Sequence, residues 1–170
     1  LQFSLNRWLG DLSGSYTLFR WGNQVPKQVS VQTWSAKELE LWGNYPNDSP
    51  LGTFGVHWAA ASFSMSHHLN TPYRFGIRIQ TNYSHLFTTS LSGITLDGGT
   101  IIPVGSSLKL GAVIRNVGYE YTNNLRSKLP IESGIGMAIN VPFVKTSIVT
   151  DLLYNTFQGQ EWRIGITSSW

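Results

Sequence analysis

The chain has 170 residues, 41% hydrophobic and 13% aromatic but only 12% charged, about half the charged share usual in soluble domains. This length and apolar content specify one folded domain over 1–170 and exclude a disordered chain. Zero cysteines remove disulfide frameworks, thiolate metal sites and thiol nucleophiles, and the mildly basic balance of 12 Lys+Arg against 9 Asp+Glu is scattered, leaving no nucleic-acid footprint.

The chain begins on Leu1, and no basic, apolar and small-residue succession of an export signal stands at its start. Strand signals open at 14–21 and continue at 28–34 and 38–45, punctuated by Gly22-Asn23 and by the turn residues of 44–50. The longest stretch free of Asp, Glu, Lys and Arg, 49–73, contains two prolines, three histidines and several serines. It lacks the ~20 predominantly apolar residues of a spanning helix and reads instead as a long strand at 54–67, with a bulge where alternation slips near 59–61.

The clearest segment follows at 73–84. Its odd positions are Tyr73, Phe75, Ile77, Ile79, Thr81 and Tyr83; its even positions are Arg74, Gly76, Arg78, Gln80, Asn82 and Ser84. Period-two alternation of this kind is a strand with one apolar and one polar face. Further strands are predicted at 91–102, 107–117, 131–141, 146–153 and 161–170, with turns at Asn70-Thr71-Pro72, Gly98-Gly99, Gly105-Ser106, Asn123-Asn124, Pro142 and 155–159. In the 131–141 strand Ile135 shares the apolar side while Glu132, Gly134 and Gly136 share the other. In the last strand Trp162, Ile164 and Trp170 oppose Glu161 and Arg163. No segment carries a capped 3.6-residue period.

About ten such strands define an all-β single domain. A soluble β-sandwich alternates too. Strands of ten to twelve residues, the low charged fraction and aromatics near strand ends (Trp34, Trp42, Tyr73, Tyr83, Trp162, Trp170) favour a transmembrane antiparallel up-and-down β-barrel. Hydrocarbon offers an open sheet edge no hydrogen-bond partner, so such a sheet closes with its apolar face outward. The expected lipid-facing and girdle residues are Tyr73, Phe75, Ile77, Ile79, Tyr83, Ile135, Trp162, Ile164 and Trp170. The expected lumen residues are Arg74, Arg78, Gln80, Asn82, Lys109, Arg115, Glu132 and Arg163. On this orientation Ile77→Arg impairs assembly far more than Arg78→Ile.

Three pieces of sequence, in order, resemble the PorV/PorQ family of bacterial outer-membrane barrels. They are 49–55 (SPLGTFG), Leu96-Asp97-Gly98-Gly99, and 108–118 (LKLGAVIRNVG) followed by 128–136 (KLPIESGIG). In that family a strand ending in Asn-x-Gly is followed, after a loop, by Leu-Pro and a glycine-alternating strand. The likeness covers roughly the last two thirds of the chain. It implies a C-terminal portion or shortened member of a larger barrel, located in the outer membrane and associated with type IX secretion. The role so implied is non-enzymatic: a component of protein export or surface attachment, with other subunits of that assembly and the lipid bilayer as partners. The family's relation to fatty-acid channels implies a second role, passive passage of a small or hydrophobic solute. No functional residue carries over, because the matched motifs belong to strands and turns.

The residues supply no competing chemistry. His67 and His68 point to opposite faces of a strand, and no His-Glu-x-x-His or Gly-x-Ser-x-Gly motif occurs. Neither a catalytic residue, a cofactor nor a metal is expected. Gly134-x-Gly136 lacks the context of a dinucleotide loop and reads as small residues on a crowded inner face. The seven tryptophans also suit a soluble glycan-binding β-sandwich, which would remain in solution without detergent.

Overall fold

A computed structural model describes residues 1–8, 11–45, 48–68, 72–122, 125–141, 143 and 146–168. Eleven strands form a single antiparallel sheet: β1 (Gln2–Arg7), β2 (Leu12–Trp21), β3 (Lys27–Leu41), β4 (Gly52–His68), β5 (Arg74–Leu86), β6 (Thr89–Val104), β7 (Leu108–Thr122), β8 (Leu125–Lys128), β9 (Glu132–Val141), β10 (Thr146–Asn155) and β11 (Gly159–Ser168). Ten of them follow one another as an up-and-down meander, while β8 pairs only with the end of β7. The all-β, up-and-down expectation holds. Among the described residues β1 and β11 do not pair, so the sheet has two free edges. With an even number of strands in the meander, β1 begins and β11 ends at the same end of the sheet.

Sequence and structure differ at the irregular points. The predicted 28–34 and 38–45 strands are one strand, β3, interrupted by a bulge between Ala36 and Leu39 at which Glu38 takes φ 56°. Left-handed backbone at one residue lets a strand bend without ending. No bulge occurs at 59–61, where β4 pairs in unbroken register on both sides. Its alternation is blurred there because alanines occupy both faces. Gly98-Gly99 is not a turn but the middle of β6, opposite Ile77 and Gly76. The strand expected to stop at Asn116-Val117-Gly118 continues to Thr122 through a second bulge, with Asn116 at φ 60°. The strands β1 and β8 were not anticipated: one is six residues long and the other four. The predicted turns at Gly22, Gly105 and Gly159 all carry positive φ, as glycine permits. Asn70-Thr71, Asn123-Asn124, Pro142 and Trp170 lie outside the described residues.

Antiparallel partners share a face, and the registers therefore sort every strand residue into one of two surfaces. One row runs Trp21, Lys27, Met65, Ile77, Gly98, Ile114, Ser133, Tyr154, Gln160 across nine strands. The next row towards the C-terminal strands contains Phe75, Thr100, Ala112, Ile135, Leu152 and Trp162. This surface is apolar and open: Ile77 is 53% exposed, Ile135 63% and Ile164 77%. Its charged members, Arg7, Lys27 and Glu40, stand at strand ends; Lys37 and Glu38 lie in the β3 bulge, and Arg126 and Lys128 are on β8. Between those limits it holds no Asp, Glu, Lys or Arg among the described residues. The fold has no conventional interior: the buried hydrophobic residues among those described are Ala36, Ala60 and Leu153. Among the described residues there is no second sheet against which the apolar side packs, which is the opposite of a β-sandwich.

The rows also cross the sheet obliquely. Starting at Trp21, the last residue of β2, the row reaches Gln160, which lies about eight residues before the end of β11. An offset of about one residue per strand step, with ~3.3 Å along and ~4.8 Å between strands, corresponds to a strand tilt of about 35°.

Candidate functional site: the charged inner face

The other surface gathers the charge. Rows on it link Arg20, Gln28, Ser64, Arg78 and Asp97, and below them Arg74, Ile101, Gly111, Gly136, Asp151 and Arg163. All eight residues expected to face a lumen, Arg74, Arg78, Gln80, Asn82, Lys109, Arg115, Glu132 and Arg163, stand on this one face. Phe75, Ile77, Ile79, Tyr83, Ile135, Trp162 and Ile164 stand on the opposite, open face. Tyr73 immediately precedes β5 and is partly exposed. Trp34 is a correction: it is not a girdle residue but lies on the inner face, opposite Trp58 and stacked on Trp8 at 4.4 Å. Its position mid-strand with outward-facing Thr33 and Ser35 on either side sets this orientation.

Asp97 anchors the inner face. It is 8% exposed, ion-pairs with Arg78, accepts Arg78 Nε–H at 2.7 Å and accepts the backbone N–H of Asn116 at 2.8 Å. The β7 bulge is what aims that N–H: the extra residue turns Asn116 towards the single residue facing it across the ladder. Arg115, beside it, donates to Glu132 Oε1 at 2.7 Å. Farther along, Arg163 donates to both carboxylate oxygens of Glu161 at 2.7 and 2.8 Å, and Arg20 donates to Gln28 at 3.1 Å. At the other end of the strands Asn82 contacts Glu120 at 3.4 Å. No buried side-chain polar atom lacks a partner among the described residues. Asp97 and Glu120 belong to this network and Asp151 stands in register with Arg163, although none of the three was expected on the inner face. Asp97 was obscured by the Gly-Gly that follows it, which imitates a turn.

Glycine thins the same wall. Gly76 faces Gly99 and Gly111 faces Gly136 across the ladder. A Cβ at Gly136 would run into Asp151 Oδ1, and one at Gly134 into the Leu153 side chain, so these two positions are small because their neighbours occupy the space. A single cavity of about 1090 Å³ lies over this region and touches β2 to β7 and β9 to β11. The sheet is therefore concave on its charged face.

On the open side, Ser13, Ser35, His57, His85 and Ser90 form one polar row at the end where β4 begins. His85 Nδ1 lies 2.9 Å from Ser90 Oγ. Described His, Asp and Glu side chains form no group of three suited to a metal ion. The chain matches no family model, no curated protein and no solved structure.

Proposed function

We propose that this chain forms the wall of a bacterial outer-membrane β-barrel. The observation that carries the reading is the apolar outward band, free of ionised side chains between the strand ends and backed by a face that holds the charges. In water, so large an apolar surface is a liability. In hydrocarbon it is the required exterior. A tilt of about 35° falls within the range of transmembrane barrels. The hydrogen-bonding groups on the free edges of β1 and β11 must be satisfied in a bilayer, so the reading requires those edges to be paired, with each other or with further strands of a larger barrel.

The sequence likeness assigns such a wall a non-enzymatic part in type IX-like protein export or surface attachment, alongside other subunits. The cavity on the inner face favours a second reading, passive passage of a small solute. The test is fractionation. Expressed in a bacterium with an outer membrane, the protein should remain with membranes after alkaline or urea washing and migrate differently in gels before and after heating. A monodisperse, detergent-free soluble protein would refute the barrel and revive the glycan-binding alternative. Accumulation of exported cargo in the periplasm when the gene is deleted would support the export role; unchanged cargo localisation would remove it.

A further inference from the structure

We infer that the inner cavity is a binding site for the oxyanion group of a small solute, a phosphate or a carboxylate. The inference rests on the orientation proposed above, apolar side out and charged side in. Six inward basic side chains, Arg20, Arg74, Arg78, Lys109, Arg115 and Arg163, line the cavity together with the carboxylates of Asp97 and Asp151, while Glu132 and Glu161 on the same face pair with two of the arginines. Three of the arginines are held by Asp97, Glu132 and Glu161. Arg74 and Lys109 have no carboxylate partner among the described residues, and both stand in the half of the barrel where the cavity is widest in glycine. A hollow with more cationic than anionic side chains focuses a positive field and concentrates anions, and guanidinium forks match the two-oxygen edge of phosphate and carboxylate.

The space is available as well as the charge. A Cβ at Gly76 or Gly111 would meet nothing nearer than 3.8 Å, so glycine is not forced there by close neighbours. Those two positions leave open the volume in which Arg74 and Lys109 can be approached. About 1090 Å³ is the scale of a small-molecule site rather than of a single ion. The solute is therefore an organic or condensed oxyanion with a body to fill the cavity.

Calorimetric titration of the purified chain in nonionic detergent with inorganic pyrophosphate, and separately with citrate, tests this. Saturable binding that weakens at least tenfold in the double variant Arg74→Gln/Lys109→Gln, and falls as NaCl is raised, is the expected result. The control Arg7→Gln, at the outward end of β1, should bind normally. Gly111→Leu keeps every charge and fills the cavity, and should weaken binding by a similar factor. A response to pyrophosphate alone assigns a phosphate, to citrate alone a carboxylate. Absence of saturable binding to either, or equal binding by wild type and both variants, overturns the inference. Binding by a chain that fails to enter membranes would uphold the site and refute the bilayer reading; membrane insertion without binding would do the reverse.

Discussion

At the scale of single residues, the account separates two faces that differ by one position along a strand. Ile77 lies on the open face and Gln80 on the charged one, opposite Ser62 and Thr95. An arginine introduced at each therefore meets different surroundings. We expect Ile77→Arg to lower stability in lipid by ~2–4 kcal/mol, the cost of a cation facing hydrocarbon, and Gln80→Arg, at a half-buried position of the charged face, to cost about 1 kcal/mol or less. Denaturant unfolding in vesicles measures both. Arg78→Ile is a less neutral comparison than the sequence suggested, because it strips the guanidinium from nearly buried Asp97. Asp97→Ala should cost ~1–3 kcal/mol by leaving the Asn116 N–H without its acceptor. Asp97→Asn, which keeps an oxygen in place, should cost less in the same unfolding experiment.

At the scale of elements, regular alternation was legible and irregularity was not. The 73–84 and 131–141 segments give their faces away because large apolar residues recur at every second position, and the structure places β5 and β9 within two residues of those limits. The bulges were hidden, since one added residue shifts parity and looks like the end of a strand. For that reason the sequence of β3 predicts two strands and that of β7 an early end. The eight inner-face candidates were recoverable from parity alone, whereas the pairing of Arg78 with Asp97 needed the β5–β6 register. The β7 bulge makes its own prediction. At φ 60°, Asn116→Gly should be tolerated, while Asn116→Val should cost ~1–3 kcal/mol as a β-branched side chain enters left-handed backbone. A shift in the unfolding midpoint reports it; equal stability of the two variants would deny that the bulge is held in that conformation.

At the scale of the whole molecule, one sheet turns its greasy side outward, is concave on its charged side and leaves two edges open. Every functional statement depends on what touches that outward side. The absence of native cysteine permits a clean test: single cysteines at 77, 79, 135 and 164, and at 80 and 109, each carrying an environment-sensitive fluorophore, in vesicles whose acyl chains bear a quencher. The account predicts strong quenching by the lipid-borne group at 77, 79, 135 and 164 and little at 80 and 109. Equal quenching at both sets, or quenching confined to 80 and 109, would contradict it.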